Sequence, residues 1–327
     1  MTHSPLRDGS RRLMSLLRGG TTDRPPYWEP WFAKGEMLEQ RYGGDYLAMA
    51  DDLGHAAIPV GSIDIGAHFA KRVEQAGSPM WYGGGSIENI ARFEDAPEPD
   101  WDAVAEQFAA GRQRARDAGI ACWMVLGWCF HRAATSIGLE DFSYALVDQP
   151  ELLKCFMAWI EQRNATAIER VIAPLQPDWV LYDGDCAYKT GTMIDPASMR
   201  ELTYEPTRPN IERLGELGIP ATFHSDGKLD DVIPLIEDLG FVAVHGCERQ
   251  ANDLDHLVET FGRSIVLCGN MDVVFLSNAT AEQIAQRTAD MLETGNRYGR
   301  FIAGCNTSPQ DYIPDDNYIA FVRAVTA

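Results

Sequence analysis

Short, mostly apolar runs rich in β-branched and aromatic residues recur along the chain and end in Gly, Asp, His, Asn or Cys. Eight stand out: Pro26–Phe32, Ala56–Gly61, Ala121–Trp128, Trp179–Asp185, Ala221–His224, Phe241–Cys247, Ser264–Asn270 and Arg300–Cys305. Apolar runs of this length without a polar alternate face read as strands covered on both sides, as in a parallel sheet. Helical periodicity separates most of them, over Trp101–Ala118, Pro150–Ala173, Pro196–Leu217, Leu229–Asp238, Leu254–Phe261, Ala281–Thr294 and Asp315–Val325. Entry signals support several of these helices: Asp148 before Pro150, Asp195 before Pro196, and Thr280 followed by Glu282. The alternation over 327 residues predicts an α/β fold, a (β/α)8 TIM barrel built as one domain, with residues 1–22 as an N-terminal helical extension. An open doubly wound sheet would carry a glycine-rich phosphate turn after its first strand. Here that place reads Trp31–Phe32–Ala33–Lys34, and the glycine run Gly83–Gly85 lacks the GxGxxG spacing.

Charge and composition remove several function classes. A net charge of −20 would repel a phosphate backbone, which argues against nucleic acid as a partner. No apolar run approaches the roughly 18 residues that span a bilayer, and polar Met1–Ser10 does not resemble a signal peptide, so no membrane and a cytoplasmic location are expected. Seven cysteines without a CxxC pair are not a disulfide framework. Cys122, Cys129, Cys155 and Cys268 read as small core residues.

In a barrel, reactive groups sit at the carboxyl ends of the strands. The fifth run ends at His224 with Asp226 just beyond, the sixth at Cys247–Glu248, the eighth at Cys305, the fourth at Asp183 and Asp185, the seventh at Asn270, and the first carries Glu29. Taken singly, His224 reads as a rim histidine, Cys305 as a buried thiol and Glu248 as a partner for Arg249. Together, an imidazole, a thiol and two carboxylates on one rim are zinc ligand types, and the thiolate favours zinc over magnesium or calcium. The predicted metal ligands are therefore His224, Asp226, Glu248 and Cys305. Structural zinc sites close on four Cys or His ligands, so this mixed set fits a catalytic ion better than a barrel that merely binds a ligand.

The segment Phe223–Gly227 (FHSDG), followed by Leu229–Glu248 and Gly304–Pro309 (GCNTSP), resembles the uroporphyrinogen decarboxylase superfamily, with its zinc- and corrinoid-dependent methyltransferase branch the nearer likeness. Asp141–Leu153 and Asp185–Phe223 are similar to that superfamily's helices and loops. Members of the branch, and cobalamin-independent methionine synthase on a related barrel, bind zinc through an HxC motif and a distant cysteine; methionine synthase adds a glutamate. The resemblance implies that His224, Cys305 and Glu248 take those roles. Asp226 stands where the methyltransferase pattern has its first cysteine.

The superfamily offers porphyrinogen decarboxylation, without metal, or methyl transfer to or from a corrinoid, with zinc. The decarboxylases carry an arginine-rich loop after the first strand. Here that place is acidic and aromatic, Trp28–Lys34, which disfavours a polycarboxylate. Replacing a thiolate by Asp226 makes the zinc harder and suits an oxygen-linked methyl group. The expected function is zinc-dependent demethylation of a methoxylated, aromatic small molecule, with the methyl passed to the cobalt(I) cobalamin of a partner corrinoid protein. Glu29, Asp183, Asp185 and Tyr188 would orient substrate or move a proton. Trp28, Trp31, Trp81, Tyr82 and Trp128, with Asn270, would line the substrate pocket, although tryptophans serve core packing as often. Methylcorrinoid:thiol methyl transfer and a decarboxylase-like lyase are the alternatives.

Overall fold

The computed structural model describes residues 4–67, 69, 84–86, 90 and 93–327 in full, and the backbone alone at 72–75 and 78–82. Its strands are β1 (Ala57–Ser62), β2 (Arg72–Gln75), β3 (Ser78–Tyr82), β4 (Ala121–Gly127), β5 (Trp179–Asp183), β6 (Ala187–Tyr188), β7 (Gly191–Thr192), β8 (Ala221–His224), β9 (Ala243–His245), β10 (Val266–Met271) and β11 (Phe301–Cys305). Seven of them form one sheet in the order β1-β4-β5-β8-β9-β10-β11, all parallel. The segment around Tyr27 closes it. Tyr27 bridges Ala303 of β11, the Trp28 N–H donates to the Ala303 carbonyl at 3.0 Å, and the Ala56 N–H donates to the Tyr27 carbonyl at 2.8 Å. The chain thus has the (β/α)8 TIM-barrel fold, as expected, with seven parallel strands and the Tyr27 bridge in the place of the eighth.

The first strand is much shorter than Pro26–Phe32, because Pro26 and Pro30 bracket it and neither has an N–H for a ladder. The small hairpins β2–β3 and β6–β7 and the helices Gly35–Tyr42, Tyr46–Leu53, Cys129–Ile137 and Leu139–Asp148 were not foreseen. Asp148 ends that last helix instead of capping the next, which begins at Pro150 without a side-chain cap. Thr280 does cap its helix, with Gln283 and not Glu282 closing the box. The helix from Pro150 passes through a π-helical turn, Ile168–Ile172, before Ala173–Leu175; Pro174 lies just beyond and has no N–H for a regular bond. Cys155 is exposed, contrary to expectation, because the next residue, Phe156, takes the inward face of that helix; Cys122, Cys129 and Cys268 are buried.

Trp28, Trp123 and Trp179 fill the barrel interior with the small residues Ala57, Ala121, Ala243 and Cys268. Trp123 and Trp179 stack at 5.3 Å, and Trp28 meets both edge-on. The helix Asp8–Leu17 packs against this cluster through Leu13, Met14, Leu16 and Leu17. Its Ser10 hydroxyl donates to the Ala56 carbonyl and accepts from the Ala121 N–H, at the amino ends of β1 and β4. The N-terminal extension therefore covers the floor of the barrel, and the open rim lies at the opposite end. Among the described residues no helix is long and apolar enough to cross a membrane.

Candidate metal centre

The rim site grows out of strand register. Asp183, His224 and His245 are partners across β5, β8 and β9, so the two histidines project side by side from adjacent strands. Beyond β8 the chain turns at Ser225–Asp226–Gly227. Gly227 has φ +90° and a Cβ there would lie 2.5 Å from the Ala187 carbonyl oxygen, so only glycine fits. The turn is pinned from both sides: the Asp226 N–H donates to Asp185 Oδ1 at 2.9 Å and the Gly227 N–H to Glu248 Oε2 at 2.7 Å.

Three side chains offer donor atoms that all lie within 4.8 Å of one another: Asp185, His224 and Asp226. His224 Nε2 is 3.5 Å from Asp185 Oδ1 and 3.7 Å from Asp226 Oδ1. His224 is buried, and burial together with the nearby His131 pushes its protonation down to about 3. A neutral imidazole so held has a lone pair free for a metal ion and is not the positive half of an ion pair. Asp226 is pushed up to about 7, first by burial and then by Asp185, Glu248 and Asp183. Its Oδ1 is buried and accepts no hydrogen bond among the described residues. Asp183 is raised by burial and by Asp185, against the lowering influence of His131 and Arg132. Crowded carboxylates with an orphaned oxygen beside a neutral imidazole are a donor set that a divalent cation fits.

Of the predicted ligands, the cluster unites His224 and Asp226 and adds Asp185, which the sequence suggested as a catalytic group. Glu248 and Cys305 stand outside it. Glu248 Oε2 accepts from the Gly227 N–H, and Cys305 is wholly buried, where burial and then the neighbouring Glu29 push the thiol well up. What Cys305 offers the histidines is its carbonyl, 3.2 Å from His245 Nε2. Glu29 is buried; its Oε1 accepts from the Tyr27 hydroxyl at 2.5 Å and the Cys305 N–H at 2.9 Å, and burial raises it to about 7.

The aromatic residues separate into two groups. Trp31 meets His224 edge-on at 4.6 Å and, with Glu29, borders a cavity of about 200 Å³. Tyr188 is half exposed on β6. Trp28 and Trp128 do not face the mouth. Trp28 belongs to the barrel interior, and Trp128 packs on Phe223 and Phe130 while its indole N–H donates to Thr207 Oγ1 at 3.0 Å. Both are therefore packing residues. The Trp81 and Tyr82 side chains lie outside the described residues. The Asn270 amide donates to the Cys247 carbonyl at 2.5 Å and borders a separate groove of about 540 Å³ with Arg249 and Arg287.

Sequence reasoning missed His245, His131 and Arg132. His131 and Arg132 lie in the first turn of the helix that follows β4, so their place just beyond a strand end was the available signal. His245 sits within an apolar run and gave no such signal.

Comparison with known proteins agrees with this architecture. The uroporphyrinogen decarboxylase (URO-D) family model matches residues 94–327. No curated protein matches the sequence. A methyltransferase from Methanosarcina mazei superposes with a TM-score of 0.75 at 14% identity, over 97% of this chain and 98% of that one. Weaker similarity is found to protein SMc04130 of Sinorhizobium meliloti 1021, with a TM-score of 0.47 at 10% identity over 90% and 95% of the two chains. A candidate vitamin-B12-independent methionine synthase from Listeria monocytogenes gives 0.45 at 11% identity over 93% and 96%. With a family match that spans more than half of its residues and includes the FHSDG turn and the Asp185–His224–Asp226 cluster, the chain belongs to the uroporphyrinogen decarboxylase family.

Proposed function

We propose that this protein is a zinc-dependent methyltransferase that works with a corrinoid protein, taking a methyl group from a methoxylated aromatic compound and passing it to cobalt(I). The observation that carries this proposal is the Asp185–His224–Asp226 cluster with its orphaned Asp226 oxygen at the carboxyl end of the barrel. These three residues would hold the ion. Glu248, whose charge already acts on Asp226, and Cys305 are proposed as flanking members of the site. When bound, zinc supplies Lewis acidity to the atom that loses its methyl group. Two carboxylates and an imidazole form a harder set than a thiolate pair, which favours an ether oxygen over sulfur. Trp31 offers an indole against which an aromatic ring can pack beside His224. Glu29, raised to about 7 in a buried position, is suited to hold or release a proton near that wall. Asp183 and Tyr188 would orient the substrate at the mouth. The full-length fold match to a methyltransferase supports the same reaction class.

The test is an assay of the zinc-loaded protein with a reduced corrinoid protein and methoxyarenes, following the cobalt(I) to methylcobalt spectral change. Methylation from the arene that needs zinc and is lost in Asp226→Ala supports the proposal. Methylation of a thiol by methylcorrinoid, with no arene turnover, would overturn the ether assignment.

A further inference from the structure

Resting on the zinc site proposed above, we propose that His245 is the positioning residue of this centre: its hydrogen bonds force His224 into the tautomer that leaves Nε2 bare to bind a cation.

The derivation starts at a backbone carbonyl. The Cys305 oxygen can only accept, so His245 Nε2, 3.2 Å away, carries the hydrogen. A neutral imidazole has one N–H, which leaves His245 Nδ1 with a lone pair. That nitrogen is 2.8 Å from His224 Nδ1, a distance at which one of the two must donate. The donor is therefore His224 Nδ1–H, and His224 Nε2 is left with a lone pair. Nε2 faces Asp185 Oδ1 at 3.5 Å and Asp226 Oδ1 at 3.7 Å. The opposite tautomer would set two lone pairs 2.8 Å apart and fill the ligand position with a hydrogen.

The surroundings hold both rings neutral and in place. His245 is buried with Trp28 edge-on at 5.8 Å and Trp31 at 6.4 Å, and among the described residues no carboxylate pairs with it. The relay spans β11, β9 and β8, so three strands determine one lone pair. Two histidines could also pair in a core for packing alone. In that case nothing would require the outward nitrogen to face carboxylates, one of which has a buried oxygen without a hydrogen-bond partner among the described residues.

The first measurement is a long-range ¹H–¹⁵N correlation spectrum of histidine-labelled, metal-free protein, assigned with single histidine variants. His224 protonated on Nδ1 and His245 on Nε2 is the expected result; His224 protonated on Nε2 would overturn the proposal. The second is zinc affinity by chelator competition. His245→Gln keeps an N–H for the Cys305 carbonyl and an oxygen for His224 Nδ1–H, and retains affinity within about threefold. His245→Phe removes both and loses about 10–100-fold, as outer hydrogen-bond partners of ligands do. Equal affinity in His245→Phe and wild type would overturn the proposal. A wild type with the stated tautomers but no zinc binding would defeat the zinc site and leave the tautomer assignment standing.

Discussion

Two regions of the molecule each hold a carboxyl group raised to about 7, wholly buried in one and half-buried in the other, and they have opposite surroundings. Glu161 lies behind the barrel, wholly buried, where helix Pro150–Ala167 meets the start of helix Cys129–Ile137 and helix Pro196–Glu216. Its Oε1 accepts from the Cys129 N–H at 3.1 Å, and its Oε2 from the Asn164 and Asn210 amides at 3.1 and 2.8 Å. Every neighbour is a neutral donor, and the group ties three helices together. Asp226, at the mouth, faces Asp185, Asp183 and Glu248, and its Oδ1 finds no donor among the described residues. A raised pKa by itself does not tell structure from function. What separates the two is whether the oxygens are satisfied by the protein or left for something else to satisfy.

The largest separation is expected in metal affinity. His224→Ala and Asp226→Ala should lower zinc affinity by more than the roughly 10–100-fold typical of an outer partner, while Glu161→Ala leaves it unchanged. Chelator competition checks this, and a zinc loss in Glu161→Ala comparable to that in Asp226→Ala would break the distinction. Stability should run the other way. Glu161→Ala leaves three buried donors unpaired and should cost about 3 kcal/mol or more in urea unfolding, at roughly 1–3 kcal/mol for each unsatisfied group. Asp226→Asn should raise the Tm of the metal-free protein at pH 8, because it removes a charge crowded by other carboxylates.

A third effect sharpens the contrast through pH. Asp226 titrates at about 7 in the fold against about 3.9 unfolded, so the native state holds a proton between those values that the unfolded state has lost. Stability of the metal-free protein must then fall relative to Asp226→Asn as pH rises from about 4 to about 7. Zinc competes with that proton, so saturating zinc should flatten the difference. Unfolding of both proteins with and without zinc across this range measures it. The smallest effect is expected at Cys305. Because its sulfur lies beside Glu29 and not in the donor cluster, Cys305→Ser should weaken zinc less than His224→Ala does.

The barrel was legible because its central strands are covered on both faces. Trp179–Asp183 and Ala221–His224 contain hardly a polar residue before their ends. Its first strand was harder to delimit, since an apolar run bracketed by proline pairs through little more than one residue. The candidate metal cluster was visible in part for the same reason: a histidine and an aspartate after an apolar run mark a strand end. Asp185 was recognisable as a rim group, but its partnership with His224 depends on the register of β5 against β8, which the order of residues does not express. His245 sits inside FVAVHGC and reads as a core residue until β9 is laid beside β8. Trp28 and Trp128 show the reverse error. Both lie near strand ends, but their ring directions are set by packing and point away from the mouth.

The most direct test is isothermal titration of zinc into metal-free wild-type protein, with His224→Ala and Asp226→Asn in parallel. The account predicts one ion per chain in the wild type, bound with release of a proton near pH 7, and weak or no binding in either variant. Wild-type protein that takes up no zinc, or variants that bind it as tightly as the wild type, would contradict the assignment of the Asp185–His224–Asp226 cluster as the metal centre.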